Sequence, residues 1–519
     1  MTAPERFDVV VVGGGHNALV AAAYLARAGR RVQVLERLEH VGGAAVSAHA
    51  FAGVDARLSR YSYLVSLLPR QLVDDLGARV RLARRRYSSY TPDPATAGRT
   101  GLLVGPGGSF DSVGAGADRS GFDEFYRRCG LVTRRLWPTL TKPLLTESSA
   151  RRLVAADDPD ADSAWELLVR RPIGDAITEA VDNDLLRGVM ATDALIGTFA
   201  RTDDPSLVQN VCFLYHLIGG GTGDWDVPIG GMGAVTGALA AAASSHGAEL
   251  VTGAEVYAIT PDGEVRYRLG DRDRVVHADW VLSGVTPTVL AELLGESAPT
   301  SAPGAQVKVN LMLKRLPQLR DESVASEQAF GGTFHINETL TQLDGAYDAA
   351  TAGRLPDPLP CEIYCHSLTD PTILSDALRR SGAQTLTVFG LHTPHSLVTA
   401  APPDTIRGQL TDAVLASLNS VLAEPIQDVL MSDAQARPCV ETKTTADLED
   451  ALGMTAGNIF HGALCWPFVA DDEPLDTPAR RWGVATAHDR ILLCGSGSRR
   501  GGGVSGIGGH NAAMAALES

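Results

Sequence analysis

The sequence predicts an α/β protein built on a parallel sheet that is assembled from distant parts of the chain. Three observations carry this. FDVVVVGGGHNALVAAAYLARAGRRVQVLE, Phe7 to Glu36, places a valine run, a glycine turn, an alanine-rich run and a second apolar run in succession. The chain closes in a similar way, with RILLCGSGSRRGGGVSGIGGHNAA at 490–513. Between them, apolar strand signals return at 248–260 and 274–287, after a long helical stretch.

The first unit explains itself residue by residue. Val9 to Val12 are β-branched and continuously apolar, which suits a strand buried on both faces. Ala18 to Ala28 is rich in strong helix formers, Gly29 ends that helix, and Val32 to Leu35 is the second strand. The glycines therefore sit at the turn of a βαβ unit. Gly13 permits the tight turn, and Gly15, lacking a Cβ, lets a pyrophosphate approach the backbone. The helix N-terminus offers unpaired N–H groups to the phosphates. Ala18 fills the third position of the fingerprint, and Glu36, 21 residues beyond Gly15, is placed to accept from adenosine ribose hydroxyls. The spacing predicts dinucleotide binding.

Further along, the Gly42-Gly43 doublet marks a loop. Residues 91–120, rich in Pro, Gly, Ser and Asp, read as a boundary loop. LLVGPGGSF at 102–110 resembles a second glycine loop but leads into no helix, so it is not a second nucleotide site. Residues 121–215 are helical in period, and 219–247 join glycines and Pro228 to an alanine-rich helix. Strand signals dominate 305–400, and a helix is expected near 404–422. The final helix is expected to begin at Asn511 or just before it.

Bulk properties exclude several classes. Net charge is −16, which disfavours a nucleic-acid partner. No run of 18 or more apolar residues exists to span a membrane. The N-terminus enters the first strand almost at once, leaving no room for a signal peptide. Seven scattered cysteines argue for reduced thiols, hence a cytoplasmic protein. Cys361 and Cys365 would share one face of a strand, but no second Cys/His pair completes a metal site, and none is expected.

Six segments then point to a family. ERLEHVGGAAVS resembles the two-dinucleotide-binding flavoproteins. DVPIGGMGAVTGAL, GAEVYAI and HADWVLSGVTP resemble segments of phytoene desaturases and amine oxidases. GNIFHG at 457–462 and LLCGSGSRRGGGVSGIGGHNAA at 492–513 resemble the phytoene-dehydrogenase-related family that includes the pyridine nucleotide-disulfide oxidoreductase domain-containing 2 proteins. The resemblance implies a Rossmann-type, glutathione reductase/amine oxidase-like FAD domain interleaved with an α+β substrate domain. The FAD domain would use 1–90, 225–300 and 450–519, and the substrate domain 91–224 and 301–449. FAD would be held non-covalently. By the same resemblance Gly13, Gly14, Gly15, His16, Asn17 and Ala18 cradle its pyrophosphate. Glu36 and Arg37 meet the ribose, and Gly42, Gly43 and Ala44 let the chain pass close by. Val256 offers backbone to the adenine, and Gly495, Gly503, Val504 and Ser505 lie near the ribityl chain and ring.

Two departures fall close to the expected substrate position: Arg499-Arg500 stands where the family pattern has His-Pro, and Ala463-Leu464 follows GNIFHG. Arg499 and Arg500 are expected to bind an acidic substrate group. His461 is the candidate catalytic base, Cys494 a small buried hydrophobe, and Tyr215 and His216 either cavity lining or core. The resemblance implies hydride transfer to flavin from a largely apolar small molecule, leaving an unsaturated product, by a dehydrogenase or oxidase. A redox cyclase or reductase of a polyene and a non-catalytic binding protein on the same scaffold are the alternatives. A homo-oligomer or an electron-accepting partner would be compatible with any of these.

Overall fold

The computed structural model describes residues 5–519. In chain order its principal strands are β1 (Glu5–Val12), β2 (Val32–Leu35), β3 (Ser89–Pro92), β4 (Gly101–Val104), β5 (Glu249–Val251), β6 (Ala254–Ile259) and β7 (Glu264–Leu269). They continue with β8 (Arg272–Ser283), β9 (Val307–Leu313), β10 (Thr333–Ile336), β11 (Cys361–Tyr364), β12 (Gln384–Gly390), β13 (Val440–Lys443) and β14 (Ile491–Leu493). The helices used below are α1 (His16–Arg27), α2 (Arg119–Leu136), α3 (Asp184–Ala191), α4 (Val208–Ile218), α5 (Met232–Ser245) and α6 (Ile507–Glu518).

Two seven-stranded sheets divide these strands. The first runs β6-β7-β8-β1-β2-β5, with β14 also paired to β8. β1 is parallel to β2 and β8, with Val12 level with Leu35 on one side and Ser283 on the other. The long β8 changes partner along its length: its first half pairs antiparallel with β7, its last three residues parallel with β14. The strand ends that matter for a ligand, after β1, β2, β8 and β14, therefore gather at one edge. This is the carboxyl edge where open α/β sheets bind nucleotides.

The valine run is buried on both faces, as its composition requires. Val9 and Val11 pack against α1, α5 and α6, while Val10 and Val12 pack with Ile259 and Val265 of the antiparallel meander. Gly13 turns the chain out of β1 with φ +89°, which a side chain would resist. Gly509 lets α6 lie against α1, since a Cβ there would stand 1.8 Å from the Asn17 carbonyl oxygen.

The second sheet runs β13-β9-β12-β11-β10-β3-β4, antiparallel except for β10 with β3. Its core is Val309, Leu311, Phe334, Ile363 and Val388, with Leu410 and Val414 of the helix Pro403–Asn419 packed against it. Residues 119–218 form a helical layer around Phe125, Trp165, Leu186 and Phe213. Among the described residues no helix is long and apolar enough to cross a membrane.

Two sequence expectations need correction. Residues 91–120 are not a boundary loop throughout, because β3 and β4 form a hairpin there with Ser89 opposite Val104. Most of the Pro and Gly residues lie in the turn and in the segment after β4, with Pro92 and Gly101 closing the strands at the turn, so composition averaged over the window hid two short strands. α6 begins at Ile507, four residues before Asn511, because its glycines at 508 and 509 are helical.

Candidate functional site

One cavity of about 450 Å³ runs from the glycine turn of the first sheet to the face of the second. Its first end is made of backbone. Gly13 to Ala18 line it, with Glu36, Arg37, Gly43 and Ala44 beside them and Val256 further out. The closing loop supplies Gly495, Gly503 and Val504. A Cβ on Gly15 would meet nothing within 4 Å, so the chain leaves open space where a pyrophosphate needs it. The Asn17 amide nitrogen donates to the Gly501 carbonyl at 3.1 Å, while its Oδ1 is buried with no partner. A buried acceptor of this kind is a site for a ligand donor or water. The donor set and the open volume fit FAD.

Glu36 does more than the spacing foretold. It is buried, and its two carboxylate oxygens accept from the Gly14 and Leu38 backbone N–H groups at 2.7 and 2.8 Å. It therefore holds the glycine turn in shape while its remaining lone pairs stay available to ribose hydroxyls. His16 Nε2 bonds the Gly503 carbonyl at 2.9 Å, tying the first glycine loop to the last, and burial lowers its pKa to about 4. Gly42 and Ser505 stand one layer behind the wall. The Gly42 N–H donates to the Gly14 carbonyl, and the Ser505 hydroxyl accepts from Ile507 N–H at the start of α6.

His461 lines the cavity with φ +63°, an unusual conformation for a residue with a side chain. Its Nδ1 is buried without a partner, and burial, with a smaller contribution from His16, lowers its pKa to about 4. The imidazole is thus neutral above that value.

Arg499 and Arg500 are not in the wall, which overturns their expected role. Arg500 is 2% exposed, and its guanidinium donates to the carbonyls of Thr139, Lys142 and Trp482. The first two carbonyls follow the end of α2, where helix and turn oxygens lack intrahelical donors. Burial lowers the Arg500 pKa to about 10, so it remains charged at neutral pH. Arg499 donates to the Phe468 carbonyl and pairs with Glu473 at 2.9 Å. Arg500 is thus directed to the turn after α2 and Arg499 to the 468–473 segment, both away from the cavity. Tyr215 likewise lies outside the lining, its hydroxyl donating to the Arg499 carbonyl at 3.3 Å. Cys494 is fully buried in the core.

The far end of the cavity is made of side chains that the sequence did not single out, His216 excepted. Tyr63, Tyr364, Trp225 and Phe389 give it an aromatic wall. His216 stacks on Trp225 with ring centroids 5.3 Å apart and bonds the Cys212 carbonyl through Nδ1. Arg85 donates to the Trp225 carbonyl and the Thr333 hydroxyl and makes no ion pair within 4.0 Å among the described residues. Lys308 donates to the Ser59 and Tyr61 carbonyls, both at 2.7 Å, and burial lowers its pKa to about 7. One signal for it existed. Lys308 interrupts an otherwise mostly apolar strand, VKVNLML, that is buried along its whole length. A lysine in such a strand calls for a structural or functional reason. Arg85, within an arginine-rich run, and Asp193, on a helical segment, carried no such mark.

Comparison with known proteins adds three findings. Residues 11–70 match the family model of an NAD(P)-binding Rossmann-like domain, and 116–348 that of flavin containing amine oxidoreductase. An uncharacterized protein of Mycobacterium tuberculosis is 67% identical, covering 98% of this chain and 97% of its own. The pyridine nucleotide-disulfide oxidoreductase domain-containing protein 2 of Rattus norvegicus is 30% identical over 98% of this chain and 93% of its own. Among solved structures, a putrescine oxidase bound to putrescine superposes with TM-score 0.58 at 16% identity, over 99% of both chains. At that identity the likeness concerns the fold.

Proposed function

We propose, from the premise that this chain belongs to the pyridine nucleotide-disulfide oxidoreductase domain-containing protein 2 family and is an FAD-dependent oxidoreductase, that it introduces unsaturation into a largely apolar small molecule. The observation that carries the reading is the continuity of the cavity. A backbone-lined dinucleotide cradle opens without interruption onto a chamber walled by Tyr63, Trp225, Tyr364 and Phe389. Aromatic faces of this kind hold an apolar ring or chain and exclude water from it.

When bound, FAD supplies a two-electron acceptor for an activated C–H bond. This chain's residues supply the rest. Gly13 to Ala18 and Glu36 hold the dinucleotide, which fixes the position of its reactive end relative to the aromatic chamber. His461, a neutral imidazole in the cavity wall, is the candidate acceptor of the second proton. Its low basicity suits an already acidified proton. The division of labour assigns 1–90, 225–300 and 450–519 to FAD and 91–224 and 301–449 to the substrate. The two sheets support it, with β3 straddling the first boundary. All seven cysteines are free, which fits a cytoplasmic enzyme.

The test is anaerobic. Purified protein carrying FAD is mixed with a panel of apolar cyclic and isoprenoid compounds and, separately, with primary and polyamines. Bleaching of the flavin by members of the first group is expected. Bleaching by amines alone would overturn the reading.

A further inference from the structure

Behind the aromatic chamber lies a group of side chains that the proposed reaction does not use. His335 on β10, Glu338 just beyond it and Glu362 on β11 are 5%, 1% and 1% exposed. One ligand atom from each lies within 4.8 Å of the others. We propose that these three residues bind a divalent first-row transition ion, which braces the wall of the chamber from behind.

Three independent features support the site. The first is an orphan. Both carboxylate oxygens of Glu338 are buried with no hydrogen-bond partner. The nearby Thr192 hydroxyl cannot serve, because its single hydrogen goes to Glu362 Oε1 at 3.1 Å. A buried carboxylate with neither donor nor cation is severely disfavoured.

The second is preorganisation. His335 Nδ1 bonds the buried Thr91 hydroxyl at 3.1 Å, which leaves Nε2 facing Glu362 Oε1 at 3.9 Å. A ligating histidine is held in this way by a partner on its other nitrogen. Burial keeps the ring neutral, as a ligand must be. Glu362 is oriented in turn by hydroxyl donors from Thr192 and Tyr364. Donor atoms around a tetrahedral ion stand about 3.3 Å apart, given bonds of about 2.0–2.1 Å. Small rotations of the glutamates close the remaining gap.

The third is charge. Asp193, Glu338 and Glu362 form one buried electrostatic group: burial raises the carboxyl pKa of all three, Glu362 and Asp193 add to it at Glu338, and Asp193 adds to it at Glu362. Arg85 is the cation facing Asp193 and Glu362. Once ionised, the three carboxylates would outnumber that guanidinium by two charges, which one divalent ion would neutralise. One imidazole with two carboxylates is a mixed donor set that suits Zn²⁺ or Mn²⁺ better than Ca²⁺. The Glu362 bond to Tyr364 links the ion to the chamber wall.

The competing account is a pair of protons on the same carboxyls, and the experiment separates the two. Tag-free protein, purified with its flavin and without chelator, is analysed for metals by plasma mass spectrometry. Its melting temperature is followed before and after EDTA and after return of Zn²⁺ or Mn²⁺. About one ion per chain is expected, with a fall in melting temperature on chelation that the ion reverses. Glu338→Gln, isosteric and uncharged, should lose the ion and melt lower while flavin content reports that the fold persists. Thr91→Val should weaken metal affinity about ten- to a hundredfold by freeing the imidazole. Metal-free protein that EDTA, Zn²⁺ and Mn²⁺ leave unmoved, or a Glu338→Gln protein as stable as the parent, would overturn the proposal in favour of the protons.

Discussion

The two ends of the cavity are built on opposite principles. At the dinucleotide end, function is carried by backbone: a glycine turn, a helix N-terminus and one carboxylate, all within 32 residues of β1's first residue at Glu5. At the far end it is carried by side chains from separate segments: Tyr63, Arg85, Asp193, Lys308 and Tyr364. The first end is centred on a local device, one βαβ unit, which the closing loop completes. The second exists only when both sheets and the helical layer are in place. A family can thus keep the first end while the second is rebuilt for another substrate.

The most severe test of the local device is Gly15→Val. A branched side chain would fill the open space beside the turn, and loss of all bound flavin is expected, with the circular dichroism spectrum retained. A folded, yellow variant would show that the cradle has been placed wrongly. Glu36→Ala comes next. It removes charge-assisted contacts to ribose and the acceptor for Gly14 N–H. At about 1.5–3 kcal/mol for such a hydrogen bond, FAD affinity should fall roughly ten- to a hundredfold in a titration of the apoprotein. Unchanged affinity would confine Glu36 to holding the turn.

Arg499 and Arg500 sharpen the contrast, because they lie on the closing loop and belong to neither end. Arg500→Ala leaves three carbonyls without their donor and should lower unfolding stability by about 2 kcal/mol in a urea titration. Arg499→Ala breaks a pair at the surface and should stay within about 1 kcal/mol. Neither should alter KM for the substrate. A raised KM with normal stability would return the pair to the substrate site.

What the sequence revealed follows the same divide. Gly13, Gly15 and Glu36 were readable because the turn, the helix and the acid stand at separations fixed by one βαβ unit. Gly495, Gly503 and Val504 were readable through the resemblance of the closing loop. The β3–β4 hairpin was missed because two four-residue strands are shorter than the window in which composition speaks. Arg500 was misread for a different reason. Its position beside the glycines was correct, but which way a side chain leaves a glycine loop depends on what packs there, here the carbonyls after α2. Arg85, Asp193 and Glu338 had no local pattern at all, since the neighbours that give them meaning lie far away in the chain.

Lys308 offers the finest test of the far end, because its chemistry there can be read as a function of pH. Burial lowers its folded pKa to about 7, whereas in the unfolded chain it titrates near the ordinary value of about 10.4. Below pH 7 both states carry the proton, and folding bears the full burden of a buried ammonium. Between pH 7 and about 10.4 the folded state releases its proton and the unfolded state keeps it. Stability gained from this group therefore rises with pH across that window, with a slope of at most about 1.4 kcal/mol per pH unit. Lys308→Met removes the titration along with the bonds to the Ser59 and Tyr61 carbonyls. Unfolding free energies of both proteins, measured in urea at intervals from pH 6 to 9, isolate the lysine by difference. The parent should gain on the variant as pH rises past 7. A difference that stays flat would mean the ammonium keeps its proton in the fold, held by Glu441 and the two carbonyls, and that the far end is more polar than its aromatic wall suggests.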